Sequence, residues 1–329
     1  MQHIYKSLFH MSLPLFILFI SSISNSVAQS FPAKPVMIIV PFGPGGAADS
    51  LPRIVGQKLT DMWSQPVIVE NKAGAAGNIG MAAAANSKPD GYTLVSAPVG
   101  NIAINPHLYP KLSFNIFKDF TPITLVASVQ NVIVVNPSVP ANTLHELISY
   151  AKANPGKINF ASGGNGTQAH MGGELLKSMA GIDMVHVPYK GVGDAVKDLV
   201  AGQTSMMVAQ IPSVLPFIQS GRLRALAIAG PKRVSSLPGI PTASEAAKLP
   251  GYEAVSWYAL MGPAGMHKDT VSKIQADVAK AVNSPEIRER LQGMGAEVNG
   301  STTAELVTVM QADYLRYGKI VRSINLTLD

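Results

Sequence analysis

The stretch VMIIVPFGPGGAADS, residues 36–50, decides the fold of this chain. Its first five residues form a continuous apolar run rich in β-branched side chains, which is typical of a strand buried on both faces of a parallel sheet. The glycine-rich segment that follows predicts a tight turn, and the apolar spacing after it predicts a helix over 51–62. Asp49 or Ser50 is the expected helix cap, with Pro52 in the first turn. The stretch therefore predicts one strand, turn and helix unit of an α/β protein.

The same pattern returns in the middle of the chain. The segment ASGGNGT, residues 161–167, follows a predicted strand over 158–161 and precedes a predicted helix that ends near Ala180. A second glycine-rich turn between a strand and a helix indicates a second α/β unit.

Strand and helix patterns alternate on both sides of residue 130, and the apolar run that begins at Trp257 predicts a strand that returns to the first unit. We therefore expect two domains crossed by the chain twice. The predicted first domain is discontinuous, residues 29–129 plus 255–329, and the predicted second domain is residues 130–254. A small ligand is expected in the cleft between them.

Both glycine-rich turns place a helix N-terminus beside this predicted cleft. Such termini attract anions, because their free N–H groups and the helix dipole carry partial positive charge. Two of them facing one cleft suit a ligand with one or two carboxylates. Ser162 and Thr167 can donate hydroxyl hydrogen bonds to it, although Thr167 is equally an ordinary N-cap and His170 is equally a packing residue.

The N-terminal segment, residues 1–28, has the pattern of a signal peptide. It carries Lys6, an apolar run over 13–20, and the small residues Ser26 and Ala28 before the expected cleavage site. The run is shorter than the ~20 residues that span a bilayer. We expect cleavage after Ala28 and a mature protein in the periplasm.

A dinucleotide-binding motif is the main competing interpretation of the first loop. Gly43, Gly45 and Ala48 match G-x-G-x-x-G/A, and Glu70 lies near the distance expected for a ribose-binding acid. Pro44 fits this motif poorly. A signal peptide of this kind indicates export of an unfolded chain, which cannot carry a cytoplasmic cofactor across the membrane. We therefore expect no cofactor.

Composition narrows the function further. The 329 residues are 47% hydrophobic and 14% charged, which argues against disorder, and the lack of cysteine excludes disulfides, thiolate zinc sites and cysteine nucleophiles. The net charge of +6 is mild and its basic residues are scattered, so nucleic acid is not an expected partner.

The usual catalytic and metal-binding motifs are missing from the sequence. There is no G-x-S-x-G elbow, no G-x-x-x-x-G-K-[ST] loop and no H-E-x-x-H motif, and the histidines lack metal-ligand spacing. We expect neither catalytic residues nor a metal site.

Several segments together resemble the periplasmic solute-binding proteins of tripartite tricarboxylate transporters, the Bug family. The resemblance covers essentially the whole predicted mature chain, and its order and spacing are specific. It is carried by PFGPGGAADSLPRIVGQKL (41–59), VIVENKAGAAGNIG (67–80), SGGNGTQAHMGGELL (162–176), HVPYKGVGDAVKDLVAGQ (186–203) and LPGYEAVSWYALMGPAG (249–265).

This resemblance implies a two-domain periplasmic-binding-protein fold of the type II kind, α/β, with crossing strands that join the domains and a ligand cleft between them. It implies capture of a small organic carboxylate for a membrane permease, and no enzymatic activity. The ligand-binding residues that it implies are Phe42, Gly46, Ala47, Ala48, Asp49, Asn101, Ser162, Gly163, Gly166, Thr167, His170, Tyr189 and Gln210, with the segment Tyr189–Gly191 along the cleft.

Two other functions stay open at this point. One is an exported hydrolase of a carboxylate ester or amide, and the other is a ligand sensor for a signalling partner.

The type of acid is indicated by the few aromatic residues near the two glycine-rich loops. Phe42 and Tyr189 are the aromatic side chains nearest these loops, and this low aromatic content favours an aliphatic acid. The default oligomeric state is a monomer.

Overall fold

The computed structural model describes residues 31–324 and 326–328, so the predicted signal peptide lies outside the described residues. The strands are β1 (Val36–Val40), β2 (Val67–Asn71), β3 (Thr93–Pro98), β4 (Phe120–Val129), β5 (Asn131–Val135), β6 (Asn159–Ser162), β7 (Val185–Pro188), β8 (Met206–Gln210), β9 (Arg224–Ile228), β10 (Ser256–Pro263) and β11 (Ala296–Val298).

The helices alternate with these strands. They are α1 (Ala47–Trp63), α2 (Asn78–Ala85), α3 (Asn105–Leu108), α4 (Leu144–Ala153), α5 (Gln168–Ala180), α6 (Val192–Val200), α7 (Ile211–Gln219), α8 (Ala243–Ala247), α9 (Lys268–Asn283), α10 (Pro285–Gly293) and α11 (Thr303–Ser323). A 3₁₀ turn, Ala75–Gly77, precedes α2, and a π-helix, Gly100–Ile104, precedes α3.

The first sheet has six strands in the order β11-β4-β10-β3-β1-β2. Strand β1 is parallel to both of its neighbours, as its buried apolar sequence predicts. Strand β10 runs antiparallel between β3 and β4, which confirms the predicted return of the Trp257 segment to the first sheet. The sheet is therefore mixed, with parallel strands at one end and antiparallel strands at the other.

The second sheet has five strands in the order β7-β6-β8-β5-β9. Strands β7, β6 and β8 are parallel, whereas β5 is antiparallel to β8 and β9. Only Gln130 separates β4 in the first sheet from β5 in the second. The chain from Pro32 onward forms one compact unit, and the division into domains at residues 129/130 and 254/255 stays a prediction.

Helix α1 differs from its predicted form. It begins at Ala47, four residues before the predicted start, with Gly46 as its N-cap. The cap prediction for Asp49 or Ser50 is wrong, because both residues lie inside the first turn, and Pro52 is the sixth helical residue. The physical reason is that consecutive glycines at positive φ, the second being Gly46, turn the chain sharply enough to start the helix directly after the loop.

Candidate ligand-binding site

A cavity of about 80 Å³ lies between the two sheets, bordered by residues that follow or end β1, β3, β6 and β8. Much of its lining is apolar, including Val99 next to β3 and Met207 on β8. The volume is enough for several water molecules or a small ligand. In the described part of the chain, no Asp, Glu, Lys, Arg or His side chain lines it.

Four helices begin at this cavity. The N-caps of α1, α5, α6 and α7 are Gly46, Thr167, Gly191 and Gln210, and all four line it. A helix N-terminus carries roughly half a positive charge, which favours an anion beside it. With no charged side chain in the lining, the backbone supplies the positive potential of this site.

Backbone N–H groups are available at these helix starts. Among the described residues, the N–H groups of Ala48 in α1, Gln168 and Ala169 in α5, and Val192 in α6 have no hydrogen-bond partner. The first N–H groups of a helix lack intrahelical acceptors, so they bind water, side chains or a ligand. These four residues all line the cavity and together can donate to the oxygens of an anion.

Gln210 connects the two sides of the cavity. Its Oε1 accepts a hydrogen bond from the N–H of Ala47 at 3.3 Å, and its Nε2 donates to the Tyr258 hydroxyl and, at 3.4 Å, to Ser256 Oγ. Burial raises the pKa of Tyr258, so its phenol stays protonated. This end of the cavity is thus polar and neutral.

Thr167 lines the cavity but has its hydroxyl committed to the loop. Its Oγ1 donates to the carbonyl of Gly164 at 2.7 Å and accepts from the N–H of His170 at 3.3 Å. This is the arrangement of an ordinary N-cap. In this structure the Thr167 hydroxyl proton is therefore not free for a ligand.

Of the thirteen predicted site residues, the structure brings seven to the cavity. They are Phe42, Gly46, Ala47 and Ala48 from the first loop, Gly163 and Thr167 from the second, and Gln210 from the end of β8. The other six do not line it. Each has contacts that shape the loops around the cavity.

Asp49 supports the first loop, whereas Asn101 supports the 3₁₀ turn before α2. Asp49 accepts hydrogen bonds from Asn71 Nδ2 at 2.8 Å and from Arg53 Nε at 3.0 Å. Burial by itself would raise the pKa of Asp49, but these bonds and the Gly45 N–H hold it below the usual range. Asn101 is fully buried in the π-helix, where its Nδ2 donates to the carbonyl of Ala76 at 2.9 Å.

Ser162, Gly166 and His170 belong to a buried cluster behind the second loop. Ser162 Oγ lies 2.7 Å from His186 Nε2, and His170 Nδ1 accepts the N–H of Gly166 at 3.1 Å. The two imidazole rings stack with their centroids 3.9 Å apart, and the ring of Phe160 stacks on His186.

Both histidines of this cluster are neutral at pH 7 in the folded protein. Burial, with smaller contributions from nearby His186 and Lys177, lowers the pKa of His170 to about 3. Burial followed by Lys177 lowers the pKa of His186 to about 4. The cluster is thus a packing and hydrogen-bonding support for the loop.

Tyr189, the last of the six, donates its hydroxyl proton to Asp198 Oδ2 at 2.8 Å. Burial and this bond raise the pKa of Tyr189 to about 12. Its neighbour Gly191 does line the cavity, as the predicted course of this segment along the cleft requires. None of these placements tests which residues touch a ligand, so the list of binding residues stays a prediction.

The sequence does not predict several of the polar residues that line the cavity. They are Asn131 at the start of β5, Gln168 at the start of α5, and Ser256 and Tyr258 on β10. The two β10 residues are two positions apart, so they share one face of the strand. This alternation was the available signal, but the face that meets the cavity is set by the pairing of β10 in the sheet.

The described residues contain neither a metal-ion cluster nor a membrane-spanning helix. In the described part of the chain, no group of three or more His, Cys, Asp or Glu residues could hold a metal ion. No helix there is long and apolar enough to cross a membrane.

The two mixed sheets with a cavity between them define the class: an α/β periplasmic-binding-protein fold. A family model described as tripartite tricarboxylate transporter family receptor matches residues 51–326. The chain belongs to this family. The family consists of periplasmic substrate-binding receptors, so the protein is a receptor and not an enzyme, and the hydrolase alternative is wrong.

Individual relatives agree over most of the chain. Protein BugT of Bordetella pertussis is 36% identical over 296 residues, 90% of this chain and 90% of that protein. The structure of R. palustris Rpa4515 with adipate has a TM-score of 0.87 at 30% identity and covers 90% of this chain and 99% of its own. MatC (Rpa3494) from Rhodopseudomonas palustris with bound malate has a TM-score of 0.84 at 31% identity and covers 88% of this chain and 100% of its own.

Proposed function

We propose that the protein captures a small organic carboxylate in the cavity between its two sheets and delivers it to a membrane permease of the tripartite tricarboxylate type. The observation that carries this proposal is the convergence of four helix N-termini on a cavity without charged side chains. Fixed N–H donors and helix dipoles stabilise an anion without a salt bridge.

The relatives support the carboxylate. Two of the similar structures hold adipate and malate, which are both aliphatic dicarboxylates. In this chain the unpaired N–H groups of Ala48, Gln168, Ala169 and Val192 are the donors that would meet the first carboxylate. Gln210, Ser256 and Tyr258 form a neutral polar end for the rest of the ligand.

The proposal also includes export. Cleavage after Ala28 would release the chain into the periplasm, where a diffusing receptor meets both its ligand and a permease. The two predicted domains, residues 29–129 plus 255–329 and residues 130–254, would close over the acid.

A thermal-shift screen of the protein purified from the periplasmic fraction tests the binding step. The panel contains malate, succinate, adipate, citrate, glutamate, benzoate and nicotinate, with nicotinamide dinucleotides as controls. A ligand at 100 times its Kd adds about 2.7 kcal/mol to the free energy of unfolding, which raises Tm by several degrees. A shift with one class of acid supports the proposal and identifies the ligand. A shift with the dinucleotides alone overturns it.

A further inference from the structure

A chain of hydrogen bonds, buried at its start and partly buried further on, begins at the cavity wall in α5. Gln168, the first residue of that helix, lines the cavity, and its backbone N–H is unpaired among the described residues. Its side-chain amide contacts α11 instead: Nε2 and Oε1 lie 2.8 and 3.0 Å from the Tyr317 hydroxyl. Gln168 is 6% exposed and Tyr317 is 1% exposed, so water does not compete for this contact.

The hydrogen-bond chain continues through α11 to β10. Arg316 Nη2 donates to the Tyr317 hydroxyl at 2.9 Å, and Arg316 Nε donates to Asp313 Oδ1 at 3.0 Å. The other oxygen of Asp313 accepts the indole N–H of Trp257 at 2.7 Å. Trp257 lies in β10 between Ser256 and Tyr258, which also line the cavity. The hydrogen-bond chain therefore links the cavity wall at α5 to β10, which carries another part of that wall.

These walls belong to different sheets. Helix α5 packs on β6 and β8 of the five-stranded sheet, whereas α11 packs on β4 of the six-stranded sheet. The loop before α5 also contacts elements that follow β3 of the six-stranded sheet. Its Gly166 lies against Gly100 of the π-helix and Asn105 of α3. Within this contact, the bond between Gln168 and Tyr317 joins the start of α5 to the ion pair of Arg316 and Asp313.

The network is well suited to hold a geometry. The ion pair between Arg316 and Asp313 is only partly exposed, and hydrogen bonds with an ionised partner are stronger and more directional than neutral ones. Burial raises the pKa of Tyr317 to about 12, so its hydroxyl remains protonated at neutral pH. Removal of that hydroxyl would leave the Gln168 amide without its buried partner, which favours separation of α5 from α11.

We propose that Tyr317 and Gln168 are positioning residues for ligand binding, which hold the α5 N-terminus at the cavity by tying it to α11. This inference rests on the proposed function. It assigns to a tyrosine outside the cavity lining a part in ligand affinity, through the backbone N–H donors of α5 that Gln168 and Ala169 provide.

Tyr252 offers a matched control for Tyr317→Phe. Tyr252 is also fully buried, and its hydroxyl also donates to α5, to the carbonyl of Gly172 at 2.9 Å. Tyr252 belongs to the core of the five-stranded sheet. Tyr252→Phe thus removes a buried hydroxyl bonded to the same helix without breaking the contact between α5 and α11.

Two measurements on the protein purified from the periplasmic fraction decide the proposal. Small-angle X-ray scattering gives the radius of gyration without ligand, and calorimetric titration gives the Kd for adipate and malate. We expect Tyr317→Phe to enlarge the ligand-free radius of gyration and to raise the Kd at least tenfold. Tyr252→Phe should keep both wild-type values, although both variants lower Tm. Equal radii and equal Kd values in the two variants would overturn the inference.

A second variant guards against misfolding of Tyr317→Phe. Gln168→Met breaks the same bond from the α5 side and should raise the Kd similarly. The Kd of the double variant should be no higher than that of either single variant, because each substitution removes the same hydrogen bond between Gln168 and Tyr317. Additive losses would contradict the link. If the wild type binds neither acid, nor any other in the panel, the proposed function fails, and the ligand-free radii of Tyr317→Phe and Tyr252→Phe alone decide the inference.

Discussion

The carboxamide oxygen of Gln210 accepts the N–H of Ala47 at 3.3 Å, across the cavity from β8 to the first residue of α1. An amide oxygen thus stands where a ligand oxygen would meet the α1 N-terminus. A bound carboxylate that uses this donor has to displace the side chain of Gln210. The neutral amide makes that exchange possible, because it is held by the helix dipole less strongly than an anion is.

Gln210→Glu should therefore act as an internal competitor. A carboxylate fixed at this position would satisfy the Ala47 N–H and repel an incoming acid, so we expect the Kd for the carboxylate identified in the screen to rise at least tenfold, or about 1.4 kcal/mol. Calorimetric titration measures it. Gln210→Met keeps the length without the charge and should lose much less affinity. Equal Kd values for the Glu and Met variants would show that the charge at residue 210 does not compete with the ligand.

Val192→Pro tests a single backbone donor. Val192 is the first residue of α6 and follows Gly191, which is extended, so proline fits this position while removing the N–H. We expect weaker carboxylate binding with Tm within a few degrees of the wild type. Val192→Ala, which keeps the N–H, is the control for the lost side chain. If the alanine variant binds as weakly as the proline variant, the side chain matters and the N–H does not.

The stacked histidines predict a stability loss in acid. An unfolded histidine has a pKa near 6.5, whereas in the folded protein the pKa of His170 is about 3 and that of His186 is about 4. The unfolded state therefore binds more protons below pH 6.5. The contribution of the two neutral histidines to the free energy of unfolding is complete above pH 6.5. It falls toward pH 4, by up to about 1.4 kcal/mol per pH unit for His170.

Thermal unfolding between pH 7.5 and 4.5 checks this expectation. His170→Gln removes one titrating group and keeps an oxygen that can accept the N–H of Gly166. The Tm of this variant should fall less steeply with acid than that of the wild type. Parallel curves for the two proteins would mean that His170 does not set the pH dependence.

The sequence predicts most of the fold and about a third of the residues that line the cavity, for identifiable reasons. The bounds of β1 are those expected, since a continuous apolar run between polar segments has few alternatives. The start of α1 was missed because the two positive-φ glycines, Gly45 and Gly46, give no periodic signal. Ser256 and Tyr258 were missed because their side of β10 becomes a cavity wall only after β10 pairs with β3 and β4. The pairing of strands in the folded sheet therefore decides which residues line the cavity where the local sequence pattern does not.

Gly173 shows the same competition between local preference and packing, and gives a last prediction. It lies inside α5, where alanine is favoured over glycine by about 1 kcal/mol. A Cβ at Gly173 would lie only 2.2 Å from the ring of Phe160, which itself stacks on His186. Overpacking of a core costs about 1–3 kcal/mol, so the steric cost should win and Gly173→Ala should lower Tm. Gly193→Ala in α6 is the matched control, because a Cβ there meets no atom within 4 Å among the described residues, so only the helix preference acts and Tm should rise. Denaturant titration of both variants gives the two free energies of unfolding, and a stabilised Gly173→Ala would mean that the Phe160 ring moves aside at little cost.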